Sequence, residues 1–273
     1  MKDKIILITG STDGIGKATA LQLAALGATV IVHGRNAERC QRACDDIRAA
    51  TGNPNIDYVV ADLSSQQQVR QMAADILARY DRLHVLINNA GVIVDQRQIT
   101  EDGLELSFAV NHLAPFLLTH LLLDVLKRSA PARIVNVAST VHYDAQIKFD
   151  NLQGERRYNS VDAYKVAKLG NVLFTFELAE RLKGSGVTVN ALHPGVVATK
   201  LLDAGWGWTN GWTPEQGAAL SVYLASSPEV ETVTGAYFES RAAGGASPKA
   251  KDVKLRRQLW KVSAQLVGLP YVF

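Results

Sequence analysis

Cysteine is scarce in this chain: Cys40 and Cys44 are the two in 273 residues. They stand four apart in a stretch of helical character, so a structural disulfide between them is not expected. No histidine or further cysteine clusters nearby to complete a metal site. The expectation is inert thiols, no metal, and a reducing compartment, the cytoplasm. Long apolar runs are also missing: none approaches the roughly 18 residues of a spanning helix. The chain passes from Met1-Lys2-Asp3-Lys4 straight into a strand-like run, so neither a signal peptide nor an amino-terminal anchor is expected. An excess of one charge is lacking as well. A net charge of +3 gives no case for nucleic acid. There is no internal repeat, and no low-complexity linker before about residue 240.

What is present is a regular alternation. Short β-branched or apolar runs at 4–9, 29–32, 57–60, 85–87, 133–137 and 187–192 are separated by helical patterns at 15–26, 37–51, 65–80, 101–127 and 162–183. Nearly continuous apolar strands alternating with helices imply a parallel sheet covered on both faces. The expected fold is α/β, a Rossmann-type doubly wound sheet of about seven strands in a single domain spanning 1–240. A substrate loop falls near 196–215, and 241–273 form an extension with a helix. The segment RAAGGASPKAK, 241–251, reads as an exposed loop. Sheets of this kind bind ligands beyond the carboxyl ends of their strands.

Just past the first strand stand Gly10, Gly14 and Gly16, in GSTDGIG. Glycine there permits either a plain tight turn or close approach of a phosphate to the amino end of the next helix. The acid that would take a ribose 2′-hydroxyl at the end of the second strand is missing. Gly34 stands there, followed by Arg35, a guanidinium suited to a 2′-phosphate. This favours NADP(H) over NAD. His33 is either a further phosphate contact or a neutral strand-end residue. Farther along, Tyr164 and Lys168 share one helical face. A neighbouring cation favours a phenolate and would lower the tyrosine's pKa.

These stretches together resemble the short-chain dehydrogenase/reductase superfamily: Thr9–Gly16 as T-G-x-x-x-G-I-G, Asp62-Leu63, Asn88-Asn89-Ala90-Gly91, Asn111, Ser139, Tyr164-x-x-x-Lys168 and Pro194-Gly195. The resemblance covers about residues 4–240. It implies that Tyr164 donates a proton to, or takes one from, a substrate oxygen, and that Ser139 hydrogen-bonds the same oxygen. Lys168 would lower the tyrosine's pKa and hold the nicotinamide ribose, and Asn111 would place a water leading to Lys168. Gly10, Ser11, Thr12, Asp13, Gly14, Ile15 and Gly16 would cradle the phosphates, with Asp13 standing where some NADP-binding relatives have a base. Asp62, Leu63, Asn88, Ala90 and Gly91 would bound the adenosine. Pro194, Gly195, Val196, Val197 and Thr199 would meet the nicotinamide end. Asn88 as a turn cap, Asn111 as a core amide and Thr199 as a helix cap are the structural alternatives.

Between Ser139 and Tyr164 lies an insertion, 141–160, which resembles the retinol dehydrogenase-like branch, as do Asn171-Val172-Leu173-Phe174 and His193-Pro194-Gly195-Val196-Val197. That branch implies reduction of lipophilic or retinal-like aldehydes or ketones to alcohols. An NADP-binding redox-sensing regulator without turnover is the alternative, disfavoured by the intact Ser139, Tyr164 and Lys168. Three tryptophans in 201–212 would form a lid, a small core or a subunit contact. In the tail 249–269, Leu255, Leu259, Val262 and Leu266 share a face flanked by basic residues. Packing on the body or on a second subunit is favoured there over contact with a membrane surface. The family's habit implies a homo-oligomer.

Overall fold

The computed structural model describes residues 1–270. Eight strands form one sheet in the order β3-β2-β1-β4-β5-β6-β7-β8. In chain order the elements are β1 (Ile5–Ile8), α1 (Gly14–Ala25), β2 (Thr29–Gly34), α2 (Ala37–Thr51), β3 (Ile56–Val60), α3 (Gln66–Arg79) and β4 (Val85–Asn88). There follow α4 (Leu106–Phe108), α5 (Ala114–Leu121), α6 (Leu123–Arg128), β5 (Ala132–Val137), α7 (Ser160–Arg181) and β6 (Val187–Leu192). The remainder are α8 (Lys200–Trp206), α9 (Pro214–Ser226), β7 (Ala236–Phe238), β8 (Ala243–Gly244) and α10 (Val253–Leu266). β1 to β7 pair in parallel, and β8 is antiparallel to β7. The sheet is thus mixed and one strand larger than expected, because a two-residue edge strand is too short to show as a run.

The strands are buried on both faces, which is why they read as apolar runs without alternation. On one face Leu23, Ile47 and Leu224 of α1, α2 and α9 pack on Ile6, Val30 and Val135. On the other, Met72, Phe116 and Leu173 of α3, α5 and α7 pack on Leu7, Leu86 and Ile134. β1 lies between β2 and β4, so the connections diverge there and leave a crevice at the carboxyl ends of the strands.

The single long helix expected over 101–127 is broken. Glu105, buried, caps the start of α4 by accepting from the backbone N–H of Ser107 (2.8 Å) and Phe108 (2.7 Å). A π turn then occupies Ala109–Leu113, with Asn111 at its centre. Such turns interrupt the normal ladder and recur at functional sites. The segment expected as an exposed loop at 241–251 is exposed over 241–245 and turns inward after that. Ala246, Ser247 and Ala250 are buried, because the segment makes β8 and a 3-10 turn, Pro248–Lys251, before α10. α10 lies along α7, with Leu259, Trp260, Ser263 and Ala264 buried. Glu177 of α7 meets Arg181 at 3.0 Å and Arg256 of α10 at 3.6 Å.

Two of the three glycines after β1 are required by the protein's own packing. A Cβ on Gly16 would lie 2.2 Å from the Gly10 carbonyl oxygen, and one on Gly10 would lie 2.9 Å from Ala90 Cα. Gly16→Ala is therefore expected to cost about 3 kcal/mol or more in unfolding free energy. A denaturant midpoint unchanged by that substitution would contradict the packing role.

Candidate active site

The loop after β1 and the turn after β4 are riveted together. Thr9 Oγ1 accepts from the N–H of Asn89 and of Ala90, each at 3.0 Å. Asn89 Nδ2 donates back to the carbonyls of Thr9 (2.8 Å) and Gly10 (3.1 Å). His33 ties in β2: its Nδ1 accepts from the Gly10 N–H at 3.0 Å, and its Nε2 donates to the Ala61 carbonyl at 3.2 Å. Burial pushes its pKa down to about 4. His33 is thus a neutral strut with both ring nitrogens engaged, rather than a phosphate cation.

These loops wall one cleft of about 1170 Å³. At its amino-terminal end Gly14 opens α1. With φ +53, its Cβ position has only Thr199 Cγ2 nearby, at 3.5 Å. The helix start there offers N–H groups and a partial positive charge to a ligand. At the end of β2 no acid fits, since a Cβ on Gly34 would already meet Thr12 Cγ2 at 2.6 Å. Arg35, Asn36 and Arg39 line the cleft instead. Asn36 caps α2 by accepting from the Arg39 N–H, which places Arg39 one turn beyond Arg35. The carboxylate of Asp13 accepts from the Gly14 N–H at 2.8 Å and pairs with Lys200 at 2.7 Å and Arg39 at 3.6 Å. The Lys200 bond holds its carboxyl below the usual range. The acid in the glycine loop is thus matched by Lys200, reaching over from α8.

At the other end stand Ser139, after β5, with Tyr164 and Lys168 on α7, all buried. Asn159 fixes the start of α7 by accepting from the Asp162 N–H at 2.9 Å. Lys168 Nζ donates to the Val137 carbonyl at 2.8 Å and lies 5.3 Å from the centre of the Tyr164 ring. Burial lowers the Lys168 pKa to about 8 and raises that of the Tyr164 phenol. Burial pushes the phenol up, against the acidification expected from its neighbour. A protonated phenol is the form that donates a proton.

Of the residues singled out from sequence, Gly10, Thr12, Asp13, Gly14, Ile15, Gly16, Arg35, Asp62, Leu63, Ala90, Gly91, Ser139, Tyr164, Lys168, Pro194, Gly195, Val196, Val197 and Thr199 line this cleft. Three others do not. Ser11 is turned inward, its Oγ donating to the Ile8 carbonyl at 2.7 Å. Asn88 lies in the core, its Nδ2 donating to Thr119 Oγ1 (3.1 Å) and Asn136 Oδ1 (2.8 Å), so the neighbouring Asn89 is the asparagine at the cleft. Asn111 sits behind the wall, its Oδ1 accepting from the Val92 N–H and its Nδ2 donating to the Val92 carbonyl, both at 2.7 Å. Thr199 does both jobs considered for it, since it also caps α8 by accepting from the Leu202 N–H. The three tryptophans divide. Trp206 ends α8 and meets the Tyr164 ring edge-on, centres 5.8 Å apart at 82°. Trp208 lines the mouth and is exposed, whereas the Trp212 ring lies against Gly195, where a Cβ would come within 2.4 Å of it. Trp206, one of the three tryptophans considered for a lid, lines the cleft, whereas Arg39 was not legible as a site residue, because α2 shows only a polar surface.

An open helix start, two arginines beyond β2 and a serine-tyrosine-lysine group share one crevice, an arrangement suited to dinucleotide-dependent redox chemistry. The residues fit a nicotinamide dinucleotide, because the space at Gly14 is open and Arg35 and Arg39 flank its far end. Residues 4–208 match the profile of the short chain dehydrogenase family. Human retinol dehydrogenase 13 is 45% identical over 97% of this chain and 85% of its own length, and human retinol dehydrogenase 11 is 44% identical over 98% and 86%. Among solved structures, a protein of Mycobacterium paratuberculosis superposes with TM-score 0.84 at 30% identity, covering 100% of this chain and 96% of its own. A short chain dehydrogenase of Escherichia coli CFT073 complexed with NADPH gives 0.73 at 27%, covering 89% and 98%. The chain belongs to the short-chain dehydrogenase family, in its retinol dehydrogenase-like branch. It is an oxidoreductase. No helix among the described residues is long and apolar enough to cross a membrane.

Proposed function

We propose that this oxidoreductase interconverts lipophilic aldehydes or ketones and their alcohols, with NADP(H) as the preferred cofactor. The observation that carries the reading is the sharing of one cleft by the Arg35–Arg39 pocket and the Ser139–Tyr164–Lys168 group. The relatives' names, retinol dehydrogenases, and the NADPH-complexed structural neighbour support it. The substrate end of the cleft is apolar, walled by Ile93, Val94, Val110, Val141, Leu202 and Trp206. A hydrocarbon chain or ring loses water contact there, while the polar groups address the carbonyl alone.

The bound cofactor supplies the hydride. Ser139 donates a hydrogen bond to the carbonyl oxygen and so stabilises the charge that develops on it. Tyr164 donates its phenolic proton to the same oxygen. Desolvation keeps that proton on the phenol at neutral pH, which suits reduction. Lys168, an ammonium below about pH 8, stands beside the phenol and supports the returning proton. Arg35 and Arg39 grip the 2′-phosphate.

The test follows NADPH absorbance with a series of aldehydes and ketones of increasing apolar length, at several pH values. Oxidation accelerated most by the long, apolar carbonyls is expected. The rate should hold between about pH 6 and 7 and fall as Lys168 loses its proton near 8. No acceleration by any carbonyl at any pH would overturn the proposal.

A further inference from the structure

Two histidines outside the cleft, His112 and His142, are fully buried, and each stands between the C-terminal segment and the wall of the cleft, at Asn111 behind it and at Ser139 within it. His112, in the π turn, has its Nε2 2.9 Å from Ser263 Oγ of α10 and its Nδ1 3.3 Å from Asn171 Oδ1. Asn171 Nδ2 in turn donates to the Asn111 carbonyl at 2.9 Å. That last bond fixes the amide orientation, because the reverse would set oxygen against oxygen. Asn171 Oδ1 is then an acceptor only, so His112 carries its proton on Nδ1. Nε2 is left to accept, and Ser263 donates to it. Every bond in the chain points one way, from Ser263 to the Asn111 backbone.

His142 repeats the arrangement. Its Nε2 lies 3.0 Å from the Ser247 backbone N–H, which only donates, and its Nδ1 lies 2.7 Å from the Ser139 carbonyl, which only accepts. The proton again sits on Nδ1. The ring is held face-to-edge by Tyr237, centres 4.6 Å apart. Burial depresses the pKa of both histidines, that of His112 to about 4, which keeps them neutral. The close seat of His112 is itself built: a Cβ on Gly170 would fall 2.8 Å from its Nδ1.

We infer that residues 247–263 brace the active cleft through two Nδ1-protonated histidines, with Ser263, His112 and His142 acting as positioning residues for Asn111 and Ser139. The inference rests on the reading of Ser139 and its neighbours as the reacting group. The chain has a physical rationale. Asn111 is clamped to Val92 on its side-chain face and to Asn171 on its backbone carbonyl, and Ser139 carries the hydroxyl that must meet the substrate oxygen. An error of a fraction of an ångström there is costly to rate but not to binding. Neutral imidazole in water favours a proton on Nε2, so the opposite tautomer at both rings is a distinctive demand of this geometry.

The experiment has two parts. Ring-nitrogen NMR of the folded, uniformly labelled protein at pH 7.5 should give both histidines as Nδ1–H. Nε2–H at either would overturn the inference, whether or not any carbonyl is turned over. In kinetics, Ser263→Ala should lower kcat about 10-fold with KM for NADPH and carbonyl within about 2-fold, move the His112 Nε2 resonance, which loses its donor while Nδ1 keeps its proton toward Asn171, and be rescued by Ser263→Thr. A Ser263→Ala protein with unchanged kcat and unchanged His112 signal would overturn it. If that variant does not fold, His142→Asn, which keeps the Ser139 bond and loses the Ser247 bond, should show the same split between kcat and KM. An unchanged kcat there counts against the brace. A wild-type protein with both Nδ1–H signals and no carbonyl turnover would sink the proposed function and leave the tautomers standing.

Discussion

Replacing Tyr164 by phenylalanine is expected to lower kcat for carbonyl reduction by about 10³-fold, equivalent to roughly 4 kcal/mol of barrier. The ring stays. Its packing against Trp206 and beside Lys168 involves faces and edges that phenylalanine also presents. What disappears is the one acidic hydrogen placed among the groups that meet the carbonyl oxygen. Ser139 remains and can still hydrogen-bond that oxygen, so a residual rate above the uncatalysed reaction is expected. Binding of NADPH should change less than about 2-fold, and the thermal midpoint by only a few degrees, since no buried partner of the hydroxyl is stranded. The pH profile adds a second check. In the wild-type enzyme a decline is expected near pH 8, as Lys168 loses the proton it supplies toward the phenol, so the residual activity of Tyr164→Phe should lose that limb. Retention of more than about a tenth of the wild-type rate would mean that the proton comes from elsewhere.

The architecture was legible because strands buried on both faces carry uninterrupted apolar runs, and six of the eight announce themselves that way. β7 and β8, three and two residues long, offer no run to read. The stretch from 101 to 127 misleads for a different reason. It is apolar nearly all round, so its periodicity does not show where Glu105 caps a new start or where the backbone shifts to the π turn around Asn111. Hydrogen-bond register is a property of the folded backbone and leaves no trace in side-chain spacing. The same limit separates Asn88 from Asn89. The two adjacent amides emerge on opposite sides of a strand end, one into the sheet core and one under the glycine loop.

The glycines after β1 teach a related lesson. Three glycines in seven residues suggested that phosphate approach explained them all, yet only Gly14 faces open space. Gly10 and Gly16 are glycine because the loop is pressed against Asn89 and Ala90. The two explanations are linked: the tight seam between the ends of β1 and β4 is what holds the start of α1 rigid, with its N–H groups aimed into the cleft. Long-range pairs such as Asp13 with Lys200, or Ser247 with His142, were beyond sequence reading, since nothing local marks either partner.

Arg35→Ala is expected to raise the Kd for NADPH about 100-fold while that for NADH changes less than about 3-fold. The difference, roughly 2.7 kcal/mol, is the scale of a forked, charge-assisted contact to a phosphate dianion. Arg35 follows the position where a ribose-binding acid would stand and where Thr12 leaves no room for one. Removing the guanidinium therefore takes away attraction without relieving any repulsion, and NADH gains nothing. Arg39 behaves differently. Part of its charge is committed to Asp13 at 3.6 Å, and Asp13 is already matched by Lys200. Arg39→Ala should thus weaken NADPH by only about 5–10-fold, and the double variant by about the product of the two if each arginine grips the phosphate separately. Fluorescence titration with both cofactors separates these outcomes. Equal losses for NADPH and NADH in Arg35→Ala would show that the arginine shapes the adenine site rather than holding a phosphate, and selectivity for the phosphorylated cofactor would then have to be sought elsewhere in the cleft.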